Sequence, residues 1–350
     1  MPSLEVIVAG LMLVALVFYA LLAGADFGGG VWDLLARGPR AADQRALIAD
    51  AIGPIWEANH VWLILVVVIM FTAFPPAFAV IMTALHIPLT VMLIGIVLRG
   101  AAFTFRTYDD QHDRVQRRWS VVFAIASVIT PIMLGVCVGA IASGRITVEN
   151  EIVTSGFFAA WLAPFPWAVG GFALALFAFL AAVYLTVEAH EPALRDDFRQ
   201  RALLAALAVG VLALLVFLLA GTGAPRISAG LSASWWAWPL QIATGGAALG
   251  AIWALWTRRF YLARALAAAQ VTLILAGWGA AQYPYLVEPN ITIQAAAAPP
   301  ITLRLLLIAL AAGALVLFPS IYVLFRIFKG PDAFRVQASA APERAETRGR

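Results

Sequence analysis

The chain has 350 residues, 63% of them hydrophobic and only 12% charged, with a formal net charge of +4 and one cysteine. A soluble globule cannot hide that much apolar surface, and the continuous rather than alternating apolar runs exclude a membrane β-barrel. A single thiol, Cys137, excludes an internal disulfide, and the basic residues lie beside apolar runs, where membrane topology explains them without a nucleic-acid partner.

Runs of about 18 or more apolar residues span a bilayer as helices. Nine such spans are predicted, near 5–24, 55–74, 77–98, 119–141, 164–187, 202–220, 237–256, 264–282 and 303–325. The fold class is therefore all-α, a polytopic membrane protein with a membrane domain over 1–330. Residues 331–350 mix Ala, Pro, Glu and Arg and read as a disordered cytoplasmic tail. No basic residue precedes the first span, so it reads as a retained helix rather than a secretory signal.

After the first span, Gly28-Gly29-Gly30 is expected to break the helix and let backbones approach closely. A short interfacial helix is expected over Val31 to Ala36, anchored by Trp32. Phe74-Pro75-Pro76 leaves room only for an antiparallel hairpin between spans two and three. Trp235, Trp236 and Trp238 read as an aromatic belt at the outer surface. The basic residues are strongly one-sided. The loops after odd-numbered spans and the tail hold 20 of the 23, and the other side holds Arg145, Arg226 and Arg304. The positive-inside rule then places the N-terminus outside and the C-terminus in the cytoplasm.

Chemistry is concentrated where lipid disfavours it. Asp26 closes the first span, and Glu57, Asn59 and His60 open the second. A charge within a membrane helix is costly, about 2.5–3.5 kcal/mol at its centre on insertion scales, so it usually has a function. Glu57 and His60 are three residues apart and share a helix face, while Asn59 points elsewhere, placed either to cap or to bridge a neighbouring helix. A poorly solvated carboxylate exchanges protons near neutral pH, as histidine ordinarily does. The set reads as a cytoplasmic-side proton or cation site, with Asp26 the more exposed carboxylate and Glu57 the more buried. The alternative is that both carboxylates sit among headgroups and pair with nearby arginines. Arg99 ends span three on the same side, either as an ion-pair partner for Glu57 or Asp26 or snorkelling to the interface. His86, mid-way through span three, reads first as a packing residue and second as a haem ligand. Glu188, ending span five, reads as an interfacial charge. No catalytic triad, metal cluster or nucleotide-binding motif stands in a usable context.

Ala25-Asp26-Phe27-Gly28, and above all Trp56-Glu57-Ala58-Asn59-His60-Val61-Trp62-Leu63-Ile64, resemble the corresponding motifs of subunit II of cytochrome bd-type quinol oxidases. The Phe74-Pro75 turn, Arg99 and the nine-span layout fit the same family. The resemblance implies two four-helix bundles plus one extra helix, in a bacterial plasma-membrane protein. It implies a partner, subunit I, that carries two haems b, haem d and the quinol site. This chain would then bear no haem and no metal, and would have no catalytic residue of its own. It would support assembly and supply a proton path at Asp26 and Glu57, with His60 and Asn59 beside them. A structural quinone or lipid and a small third membrane subunit are compatible with it. Two positions depart from the family pattern: Ile55 stands where some members have His, and Glu57 where Asp is frequent. The competing classes are a secondary transporter or ion channel using the same carboxylates, and a purely structural assembly subunit.

Overall fold

A computed structural model describes residues 3–52, 56–108, 113–150 and 152–329. Residues 299–350 form a separate unit from residues 1–298. Its described part is one helix, α12 (Pro300–Lys329), with Pro319 inside it. The expected disordered tail, 331–350, lies outside the described residues.

In the larger unit α1 (Leu4–Leu34) runs unbroken through the glycine run. The expected helix break does not occur, and neither does a separate helix over 31–36. Each glycine costs a helix about 1 kcal/mol relative to alanine, and close packing offsets that cost here. A Cβ at Gly28 would lie 1.9 Å from the backbone oxygen of Phe177, and one at Gly24 would lie 2.7 Å from the Phe177 ring. Both contacts are with α7 (Pro164–Glu188). Trp32 is buried rather than interfacial, and donates its indole N–H to the Ala178 carbonyl of α7 at 2.7 Å. After a turn at Gly38 (φ +84°) the chain forms α2 (Ala41–Ile52), a helix that apolar periodicity did not reveal.

Next come α3 (Trp56–Ala73) and α4 (Pro75–Ala84). The axis turns by 119° between them. The Phe74 turn is thus a sharp bend short of the antiparallel hairpin expected, with Pro75 opening α4, where its missing N–H costs nothing. The third expected span is divided as well. It ends at Leu85, and α5 (His86–Tyr108) begins there. Pro88 explains the division, because it offers no N–H to Ala84 and its ring crowds that carbonyl.

The helix α6 (Asp113–Ala142) leads to a small hairpin of β1 (Val148–Glu149) and β2 (Ile152–Val153). Then follow α7, α8 (Pro192–Gly223), α9 (Pro225–Ala233), α10 (Ala237–Trp256) and α11 (Phe260–Gln282). A second hairpin, β3 (Tyr285–Val287) with β4 (Ile291–Thr292), closes the unit. Apolar almost all round, α7 is buried along most of its length and touches α1, α6, α8 and α11. The helix α1 packs in turn on α3, α6 and α7, while α5 lies on α6.

Among the described residues seven helices are long and apolar enough to cross a membrane, or eight if the bent α3–α4 pair is one span. The expected span at 237–256 is present as α10, a 20-residue helix that is not among those seven. Of the expected aromatic belt, Trp235 and Trp238 are exposed, whereas Trp236 packs on a core of Phe165, Ala220 and Ile227.

Candidate proton-transfer site

Where α1 crosses α3, Asn59 donates its side-chain N–H to the Asp26 carboxylate at 2.5 Å. Both side chains are almost wholly out of solvent, at 5% and 2% exposure. Asn59 therefore bridges a neighbouring helix, one of the two roles its offset from Glu57 allows. Asp26 does not behave as expected: it lies eight residues inside the end of α1 and is buried, because α1 continues through the glycines and packs there.

His60, one residue along α3, sits between the rings of Tyr19 and Phe27, with centroids 6.0 and 5.7 Å away. Glu57 lies on the first turn of α3, but its side chain falls outside the described residues. Arg99 neither ends a span nor snorkels. It occupies the middle of α5 at 1% exposure, its guanidinium 4.8 Å from the Phe27 ring and 5.3 Å from the Phe123 ring of α6. Such cation–π contacts stabilise a desolvated cation by about 2 kcal/mol or more. Its Nε and Nη2 have no hydrogen-bond partner among the described residues, and its charge acts on both Asp26 and Tyr19. The structure thus gathers Asp26, Asn59, His60 and Arg99 within one four-helix neighbourhood of α1, α3, α5 and α6. A carboxylate, an amide, an imidazole and a buried cation in apolar surroundings can hold and exchange a proton.

The other candidates lie elsewhere. His86 is exposed at the start of α5 rather than mid-span. Its Nδ1 hydrogen-bonds with the Thr83 carbonyl at 2.8 Å, and its ring meets the edge of Phe157. Glu188 faces Arg264 at 3.8 Å. Among the described residues no three His, Cys, Asp or Glu side chains come together as a metal site.

Sequence reasoning missed a polar junction at the base of α1. Arg40 clamps Asp197 of α8 at 2.5 and 2.9 Å, Gln44 of α2 donates to the same carboxylate at 2.9 Å, and Arg201 donates to Gln44. The Asp197 carboxylate holds the Arg40 guanidinium above its ordinary pKa through that hydrogen bond. No periodic signal marks this junction, since its members come from three elements. Also missed are two apolar cavities: one of about 380 Å³ among Tyr19, Phe165, Phe177 and Trp278, and one of about 530 Å³ among Leu13, Met82, Cys137 and Gln282.

Comparison with known proteins bears on the whole chain. The chain is 37% identical over 127 residues to the cytochrome bd ubiquinol oxidase subunit 2 of Bacillus subtilis (strain 168), a match over 36% of this chain and 37% of that protein. It therefore spans little more than a third of that relative's length. It is 23% identical over 321 residues to the putative cytochrome bd menaquinol oxidase subunit II of the same organism, covering 89% of this chain and 91% of the relative. The bd oxidase structure from Geobacillus thermodenitrificans superposes with a TM-score of 0.79 at 23% identity, over 93% of this chain and 99% of that one, which shows a shared fold. The family described as cytochrome bd terminal oxidase subunit II matches residues 4–328, and the chain belongs to it.

Proposed function

We propose that this chain is the non-haem subunit of a membrane-bound quinol:oxygen oxidoreductase, and that Asp26, Glu57, His60 and Asn59 form an entry path for the protons consumed when oxygen is reduced to water. The observation that carries the path is the buried Asp26–Asn59 hydrogen bond between α1 and α3, with Arg99 close by. A carboxylate so placed costs stability unless it is hydrogen-bonded, and it is a natural proton site.

In this reading the fold is nine transmembrane helices, two four-helix bundles and one more, with the N-terminus outside and the C-terminus cytoplasmic. The excess of basic residues on one side supports that orientation. The haems b, haem d and quinol oxidation belong to the partner, subunit I. His60 is walled by two aromatic rings and His86 sits at an exposed helix start, so neither is framed for a haem. Quinol oxidation releases protons outside, oxygen reduction draws them from the cytoplasm through this chain, and charge is separated without a pump. The two apolar cavities suit the tail of a structural quinone or lipid, and a small third subunit is compatible with the assembly.

The test is Glu57→Gln in the intact, haem-replete complex. Oxygen reduction should slow while haem content and assembly stay normal, and Glu57→Asp should retain more activity. Proton-transfer groups typically contribute about 10²–10⁴-fold, and parallel water routes reduce that. Unchanged turnover in Glu57→Gln would make Glu57 a packing or assembly residue.

A further inference from the structure

Asp26 needs a supply from the cytoplasmic end of α1, and that end holds a second buried carboxylate. Asp33 lies one residue from the end of α1 and is only 3% exposed. It stands in the last turn of α1, at the negative end of the helix dipole, where a carboxylate is an unusual choice.

The spacing from Asp26 is informative. Positions 26, 30 and 33 are i, i+4 and i+7, so they line one stripe of α1. The middle position is Gly30, and the group that fills its level comes from α6. A Cβ at Gly30 would lie 2.1 Å from the Ser127 hydroxyl oxygen. Ser127 is wholly buried, and its hydroxyl has no hydrogen-bond partner among the described residues. The helical hydroxyls of Thr83, Thr104, Ser232, Thr244 and Thr272 bond back to the carbonyl four residues earlier, whereas those of Ser127 and Thr130 on α6 have no partner among the described residues. That leaves the Ser127 hydroxyl available to a neighbour on the α1 stripe.

We propose that Asp33 and the Ser127 hydroxyl form the cytoplasmic limb of the path, passing protons from Asp33 through Ser127 to Asp26. The proposal rests on the reading of Asp26 as a path residue. Along the axis the levels are about 6 Å apart from Asp26 to Gly30 and about 4.5 Å apart from there to Asp33. Side-chain reach, or one bridging water, closes each interval. The transfer balances without any co-reactant. The Ser127 oxygen accepts a proton from Asp33 while its own O–H proton passes to Asp26, so Ser127 ends neutral. Asp33 is then reprotonated from cytoplasmic water.

The experiment measures oxygen reduction, haem content and the solvent deuterium isotope effect in the complete complex reconstituted in liposomes. Asp33→Asn should slow turnover by about tenfold or more with haem content unchanged, and Asp33→Glu should recover most of it. Ser127→Ala removes one oxygen and little volume. It should slow turnover several-fold and enlarge the isotope effect, which a loss of packing alone does not do. If Asp26→Asn is slow while Asp33→Asn and Ser127→Ala turn over at the wild-type rate, the limb is overturned and the Asp26 reading stands. Wild-type turnover in Asp26→Asn would remove both. Slowing in Asp33→Asn alone would overturn the Ser127 relay. If Asp33→Asn fails to assemble, Ser127→Ala decides.

Discussion

Asn59 and Asp26 share a buried hydrogen bond across two helices. Replacing Asn59 with Leu keeps the bulk but removes the donor. Leaving a buried charged acceptor short of a donor costs about 1–3 kcal/mol or more. Asn59→Leu should therefore lower the melting temperature of the purified complex, whereas Asp26→Asn combined with Asn59→Leu should recover part of the loss. Full additivity in that double-mutant cycle would show that the bond contributes nothing. Arg99 makes a parallel case. Arg99→Lys keeps the charge but loses the planar face that stacks between Phe27 and Phe123. It should assemble less well than wild type yet better than Arg99→Met, as measured by complex yield at fixed expression.

At the scale of elements, the seam between α1 and α7 governs how the chain folds around its site. Gly28 tolerates no side chain, because a Cβ would meet the Phe177 backbone oxygen at 1.9 Å and backbone cannot rotate away. Gly28→Ala should destabilise by about 1–3 kcal/mol through overpacking. Gly10→Ala, where a Cβ meets nothing within 4 Å, should be neutral or slightly stabilising. Thermal unfolding of the two variants checks the contrast. The β3–β4 hairpin provides a pH-dependent element. Burial pushes the Glu288 carboxyl above the usual carboxylate range, and Arg226, 3.8 Å away, pulls in the opposite direction. The folded hairpin thus binds this proton more tightly than the unfolded chain does. Its contribution to stability is full below the ordinary glutamate value and is lost as pH rises through the raised one. Glu288→Gln should abolish that dependence. Amide-exchange protection of residues 285–292, corrected for intrinsic rates, should fall between pH 4 and 7 in the wild type and stay level in the variant.

For the molecule as a whole, the one-sided basic residues and the membership of the family lead to two further expectations. Reporter fusions after Arg118 and at Arg350 should both report cytoplasm, and a signal from the opposite side at either would mean a miscounted span. Expressed alone, the chain should purify without haem. Expressed with a haem-bearing subunit I, it should co-purify with the spectra of haem b and haem d. A stoichiometric haem on the isolated chain would overturn the assignment of haems to the partner and make His60 and His86 the first residues to test.

Long apolar runs sufficed to determine a helical membrane protein, because burying twenty residues of backbone in lipid leaves the helix as the means of satisfying every N–H and C=O. The paired motifs around Asp26 and Glu57 were equally legible, since polar groups stand out against lipid-compatible sequence, whereas the choice for Asn59 between capping and bridging was made by the packing of α1 on α3. Other features depended on which helix packs against which. Gly28 to Gly30 carry a helix-breaking preference, and only contact with α7 and with Ser127 makes an unbroken α1 the better arrangement. Asp26 and Arg99 sit near the ends of apolar runs, where sequence places them at the interface. The tertiary packing buries both, because α1 and α5 continue as helices beyond their apolar stretches and rings from α1 and α6 enclose the guanidinium. The Asp33–Ser127 stripe has a legible half, the i+7 spacing of the two aspartates. The hydroxyl from α6 lies 94 positions away from Asp33 in the chain, and no local periodicity brings such distant residues together.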